Sequence, residues 1–138
     1  MTGDVPGPRS GHTLSVVGDE ALLFGGLDPA LKEFTKPNGK TEKRPGPNSD
    51  LYRVKLPAAG STAAMRWVKV ATSQSPPPRY GHTATVVGEN RLLIFGGFAS
   101  SSQRYADVHV LNTKVSSSML KALARRFGLA SLATKWPC

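Results

Sequence analysis

Between Thr13 and Val17 apolar and polar residues alternate, with Leu14 and Val16 on one face and Thr13 and Ser15 on the other. The alternation returns over Thr83–Val87, where Ala84 and Val86 take the apolar positions. A period of two is the signature of a β-strand. Gly18-Asp19-Glu20 and Gly88-Glu89-Asn90 follow as turn chemistry for a hairpin. Next come unbroken apolar runs over residues 21–24 and 92–95, predicting strands covered on both faces. Each run ends on a glycine pair, Gly25-Gly26 or Gly96-Gly97, where the backbone can bend or approach a neighbour with no side chain in the way. Tyr52, Val54 and Leu56 alternate with Leu51, Arg53 and Lys55 in a third strand. Trp67-Val68-Lys69-Val70 reads as a fourth, outer strand, with Lys69 suited to an exposed edge.

These segments form an internal repeat. Pro8-Arg9-Ser10-Gly11-His12-Thr13 recurs as Pro78-Arg79-Tyr80-Gly81-His82-Thr83, 70 positions later. Leu22-Leu23-Phe24-Gly25-Gly26 matches Leu93-Ile94-Phe95-Gly96-Gly97, and Asp50-Leu51-Tyr52-Arg53-Val54 matches Asp107-Val108-His109-Val110-Leu111. The first copy holds 14 extra residues between its glycine pair and its aspartate; without them the period is 56, close to the ~50 residues of a kelch blade. Over roughly residues 6–113 the chain resembles the kelch family, whose repeat runs P-R-x-G-H, F-G-G, D-L-Y, W-x-x-V. The resemblance implies an all-β protein built from four-stranded propeller blades that serve mainly to bind other proteins.

The second copy departs from the pattern. The spacing that places Trp67 after Asp50 lands on Ala124 after Asp107, within residues 117–128, which read as a helix with serines at its start and Gly128 at its end. Met119, Leu120, Leu123 and Phe127 fall along one face of that helix. The expected organisation is a first blade over 1–70 with a long inserted loop at 27–49. A second blade over 71–113 lacks its fourth strand, and a basic helical tail covers 114–138. This is an open partial propeller, since closure needs about four to eight blades. Three explanations stand side by side: a truncated or alternatively ended form of a longer protein without independent activity, self-assembly with other copies or chains to complete a ring, or an open pair of blades.

Composition adds little to this reading. Fourteen glycines and eleven prolines in 138 residues suit many short strands and turns. The net charge of +9 invites a nucleic-acid reading. Five of those charges, however, lie on Lys114, Lys121, Arg125, Arg126 and Lys135, outside the repeat, and no aromatic-and-basic stripe accompanies the rest. No nucleic-acid partner is therefore expected. Cys138 is the only cysteine, no run of 18 apolar residues occurs, and the start of the chain shows no signal stretch, so the expectation is a cytoplasmic protein with no membrane span. The basic helix, with Lys121, Arg125 and Arg126, leaves open docking to an acidic surface or membrane beside a plain capping role.

The loops expected on one rim are 27–49, 71–81 and 98–106, and a loop as long as the first tends to be functional or disordered. The resemblance places the ligand mouth there and turns the arginine of the P-R motif towards an acidic partner. The candidate binding residues are then Arg9 and Arg79, with Ser10, Tyr80 and Arg104 nearby. The competing reading has Arg9 and Arg79 bracing the blade junction. Gly11, His12, Gly25, Gly26, Trp67, Gly81, His82, Gly96 and Gly97 are assigned to the repeat framework. His12 and His82 share one slot, so each is expected to make the same structural hydrogen bond, and His109 looks isolated. No metal-ligand spacing, nucleophile motif or phosphate-cradling loop is present. Kelch-like propellers include metal-dependent enzymes, but their metal residues find no matching cluster here. The expected function is a protein-interaction module with no catalytic residues, metal or cofactor.

Overall fold

The computed structural model describes residues 1–72 and 74–113. All its regular structure is β: ten strands in three sheets, with no helix among the described residues. The helix expected at 117–128 lies outside the described residues, as does the basic tail as a whole.

The first sheet contains β1 (Thr2–Gly3), β2 (Thr13–Val17), β3 (Glu20–Phe24), β6 (Leu51–Lys55) and β7 (Arg66–Val70) in the order β1-β7-β6-β3-β2. Its four longer strands are antiparallel neighbours and coincide with those read from the alternation. The second sheet, β10-β9-β8, is formed by β8 (Thr83–Val87), β9 (Arg91–Phe95) and β10 (Val108–Asn112). Its registers repeat those of the first: Thr13 opposes Phe24 and Phe24 opposes Leu51, just as Thr83 opposes Phe95 and Phe95 opposes Val108.

The core lies between the two sheets. Val17, Leu22, Phe24 and Leu51 from the first meet Leu92 and Ile94 from the second, with Val70, Ala84 and Leu111 around them. Phe24, Leu92 and Ile94 are fully buried, each stabilising by roughly 1.5–3 kcal/mol. On β2 the core-facing side is therefore Thr13, Ser15 and Val17. Leu14 and Val16 point the other way and remain 59% and 56% exposed. On β8 the inward residue is Ala84, so the two repeats present opposite faces to the shared core.

Two expectations are corrected. Residues 27–49 are not a loop but a hairpin, β4 (Leu27–Thr35) against β5 (Thr41–Pro47), with a register shift between Asp28 and Leu31. Asn38-Gly39 turns it, Gly39 taking φ of 79°. Across the hairpin Lys36 pairs with Glu42 and Lys43 with Glu33, while Arg44 pairs with Glu42 along its own strand and lies 4.1 Å over the Phe34 ring of the other. Three of the charges that suggested a solvated loop, Lys36, Lys43 and Arg44, thus have acidic partners within the hairpin. Lys69 is likewise not on a free edge, because β1 adds in parallel outside β7 and the Lys69 amide donates to the Asp4 carboxylate at 3.1 Å.

The glycine pairs let the sheets close on each other. A Cβ on Gly25, at φ 66°, would stand 2.7 Å from the Arg79 carbonyl oxygen and 2.9 Å from the His82 ring. The Gly26 amide donates to the Arg79 carbonyl at 2.9 Å, and the Arg79 amide donates to the Asn48 carbonyl at 3.2 Å. The Gly81 amide then donates to the Gly11 carbonyl at 2.8 Å, bringing the two lead-in segments together.

Candidate binding surface

The arginines of the duplicated P-R motif sit in matching places but in different chemical states. Arg79 is fully buried. Its Nη1 and Nη2 donate to the two Asp107 oxygens at 2.6 and 2.9 Å, Nη1 also reaches the Gly96 carbonyl at 2.8 Å, and Nε donates to the Pro77 carbonyl. The guanidinium stacks 4.3 Å over the Tyr105 ring. His109 shares the same carboxylate, Nε2 to Asp107 Oδ2 at 2.8 Å, so it is not isolated. The Arg79 hydrogen bonds, aided by His109, hold the Asp107 carboxyl far below the usual carboxylate range. Arg79 thus braces the second sheet internally and offers nothing to the surface.

Arg9 has no such partner. Its Nη1 donates to the Gly25 carbonyl at 3.1 Å and to Asn48 Oδ1 at 3.2 Å, and its Nε donates to the Gly7 carbonyl. Asp50 occupies the slot of Asp107, yet it is taken by Lys69 at 2.9 Å, and that hydrogen bond raises the ammonium pKa. Tyr52 donates its hydroxyl to the other Asp50 oxygen at 3.4 Å. Among the described residues no carboxylate lies within ion-pair distance of Arg9, which is half-buried with its guanidinium 5.1 Å over the Tyr52 ring. The difference arises in β7: its Lys69 neutralises Asp50, and Asn48 supplies only a neutral acceptor.

Arg9 and Ser10 line an open depression of about 250 Å³ whose other walls are Leu27, Pro29 and Pro45. The β4–β5 hairpin supplies those walls, anchored by reciprocal Ser10–Leu27 backbone hydrogen bonds at 3.1 and 2.7 Å. The equivalent position in the second repeat is closed. There Tyr80 and Phe98 exchange backbone hydrogen bonds at 3.1 and 2.8 Å, their rings stack at 5.6 Å, and exposed Arg104 lies 5.6 Å over Phe98. The structure therefore groups the five candidates in three ways: Arg9 with Ser10 on the depression, Tyr80 with Arg104 through Phe98, and Arg79 in the interior. Leu27, Pro29, Pro45, Asn48 and Phe98 complete these groups and were not singled out from the sequence, while Asp107 was read only as a repeat position.

The two framework histidines also differ. His82 is buried, with Nε2 2.8 Å from Thr13 Oγ1 of the first sheet and its ring edge-on to Phe24 at 5.2 Å. Burial, followed by the Arg79 and His12 charges, lowers its pKa to about 4. His12 is exposed and makes no equivalent bond among the described residues. The hydrogen bond expected twice is made once, because its partner belongs to the neighbouring sheet. Trp67 is half-buried in β7, paired with Val54 and with Gly3 of β1. Among the described residues there is no group of three metal-ligating side chains and no helix long and apolar enough to cross a membrane.

With this geometry in view, the relatives are informative. The chain is 35% identical over 117 residues to host cell factor 1 of Homo sapiens, covering 80% of this chain and 5% of that protein. It is 32% identical over 110 residues to the dynein alpha chain of the flagellar outer arm of Chlamydomonas reinhardtii, covering 80% of this chain and 2% of the relative. It is 32% identical over 119 residues to the Rho GTPase-activating protein gacHH of Dictyostelium discoideum, covering 85% of this chain and 6% of the relative. Host cell factor 1 is a kelch-repeat protein, and the likeness is compatible with a kelch-type repeat. The chain spans only a small fraction of each of these relatives. No protein-family model matches it.

Proposed function

We propose that the chain is a kelch-type interaction module, its two sheets being neighbouring propeller blades, and that it binds an acidic segment of a protein partner at the Arg9 depression. The observation that carries this reading is the contrast between the two arginines. Arg79 spends its planar donor array on Asp107, whereas Arg9 has only neutral acceptors and lies beside an apolar hollow. A carboxylate arriving there gains a charge-assisted hydrogen bond, and an apolar side chain next to it fills the space between Leu27, Pro29 and Pro45. Relatives that include a kelch-repeat protein are consistent with a protein-interaction module.

A peptide array that varies one Asp or Glu beside one apolar residue tests the reading, with affinities then followed by fluorescence anisotropy. Arg9→Ala is expected to weaken acidic peptides by roughly ten- to a hundredfold, the worth of a charged hydrogen bond at about 1.5–3 kcal/mol. Equal binding of neutral and acidic peptides, or affinity unchanged in Arg9→Ala, overturns it.

A further inference from the structure

The two repeats build the same hydrogen-bonding frame around their motif arginines and fill it differently. In the second repeat the Gly96 amide donates to the Asp107 carbonyl at 3.1 Å. Arg79 reaches the Gly96 carbonyl through Nη1 and the Pro77 carbonyl through Nε. In the first repeat the Gly25 amide donates to the Asp50 carbonyl at 3.0 Å. Arg9 reaches the Gly25 carbonyl through Nη1 and the Gly7 carbonyl through Nε. Each guanidinium is therefore anchored at the same two backbone points beside an equivalent aspartate. The oxygens of that aspartate are used in parallel as well. Oδ2 meets the side chain two residues on, His109 at 2.8 Å or Tyr52 at 3.4 Å. Oδ1 of Asp107 takes Arg79 Nη1 at 2.6 Å, whereas Oδ1 of Asp50 takes Lys69 Nζ at 2.9 Å. Lys69 stands where the arginine of its own repeat would bind.

Arg9 remains close to this pair. Asn48 Oδ1 accepts from both Arg9 Nη1 and the Asp50 amide, at 3.2 and 3.3 Å. The Tyr52 ring centre lies 5.1 Å from the Arg9 guanidinium and 5.7 Å from the Lys69 ammonium. The Asp50 hydrogen bond raises the Lys69 pKa, and the neighbouring Arg9 charge opposes that rise. Two cations thus border one carboxylate, and the lysine holds it. A freed Asp50 reaches, by side-chain rotation, the place that Asp107 takes against Arg79, and a planar guanidinium binds a carboxylate well there. The Lys69 side chain is 52% exposed, so loss of its charge uncovers no core.

We propose that Lys69 keeps the Arg9 depression open to partners by holding Asp50, and that loss of the Lys69 charge closes it by turning Asp50 onto Arg9. The inference rests on that depression being the peptide site and names the residue that regulates it. An acidic peptide and Asp50 then compete for one guanidinium, so only the fraction of chains with Arg9 unpaired binds.

A double-mutant cycle on the full chain reads the Arg9–Asp50 pairing without any peptide, from urea unfolding of Arg9→Ala, Asp50→Asn and the double variant. The coupling factor in the folding equilibrium is expected within about threefold of unity when Lys69 is present. In the Lys69→Met background it is expected to reach about tenfold or more, as for residues in contact. Acidic-peptide affinity is expected to fall by about the same tenfold in Lys69→Met and to recover in Lys69→Arg and in Lys69→Met with Asp50→Asn. It should stay within about twofold in Lys55→Met, which removes a positive charge elsewhere in the sheet. A coupling factor unchanged by Lys69→Met overturns the inference. So does full affinity in Lys69→Met, or a loss that Asp50→Asn does not restore. Peptides that ignore Arg9 in the wild-type chain overturn the binding reading alone, and the cycle then still judges the pairing. If Lys69→Met lacks the wild-type circular dichroism, Lys69→Gln takes its place in both measurements.

Discussion

Nε2 of His82 lies 2.8 Å from Oγ1 of Thr13, so a side chain of the second repeat closes a polar contact inside the joint formed with the first. Its ring is buried against Phe24, and its Nδ1 is buried without a hydrogen-bond partner among the described residues. A protonated imidazole is poorly accommodated in such a place.

The joint should therefore weaken in mild acid. The His82 pKa is lowered to about 4 in the folded chain from an ordinary 6.5, so between these values the unfolded chain binds the extra proton. Stability is then fully present above about pH 6.5 and is lost as pH falls towards 4. Urea midpoints are expected to show a chain less stable by about 2–3 kcal/mol near pH 4.5 than at neutral pH. His82→Gln should flatten that slope; an equal slope in the variant would assign the acid sensitivity to other groups.

The duplicated arginines should separate on substitution. Arg79→Ala leaves Asp107 and the Gly96 carbonyl without their donor and is expected to cost about 3 kcal/mol, the lower end for a broken buried pair because Asp107 is partly open to water. Arg9→Ala removes only neutral contacts and is expected to cost under about 1 kcal/mol. Chemical denaturation of the two variants side by side measures the difference, and equal costs would contradict the contrast between the sites.

Glycine substitutions should sort by what surrounds them. Gly25→Ala forces a Cβ to within 2.7 Å of the Arg79 carbonyl oxygen at a left-handed φ, whereas Gly39→Ala meets open space at a similar φ. The second is expected to cost about 1–2 kcal/mol from backbone strain alone. The first should cost distinctly more, because the two sheets must also move apart. Thermal melts of both variants check the order.

The hairpin should loosen on its own. Phe34 is half-buried and carries Arg44 above its ring. A Cβ at Gly46 would come within 2.7 Å of that ring, so the Phe34 edge fills the space which Gly46 leaves. Phe34→Ala is expected to raise amide hydrogen exchange across residues 31–45 by roughly tenfold, leaving exchange in β3 and β9 unchanged. Uniform acceleration through both sheets would show that the hairpin supports the core.

Much of the fold was legible because strand chemistry is local. The alternation at Thr13–Val17, the apolar runs ending in glycine pairs, and the aspartate-led third strands each mark an element within a few residues. What escaped depends on partners distant in the chain. β1 is two residues long and exists only because β7 offers a free edge. The hairpin had its own signal in Asn38-Gly39, but its lysines read as solvated until Glu33 and Glu42 were placed opposite them. Leu14 and Val16 gave the right element but lie on the face away from the core. The fate of Arg9 was unreadable from its motif, since it is decided by Asn48 and Lys69, 39 and 60 positions on.

Arg79 fastens more than its own repeat. Its carbonyl accepts from Gly26 and its amide gives to Asn48 in the first repeat, while its guanidinium holds Gly96 and Asp107 in the second. A single residue thus works as a rivet through both layers, and neither can peel away while the other stays whole. Melting should therefore be one concerted event, and a protease able to cut anywhere within residues 76–82 should dismantle the two repeats together.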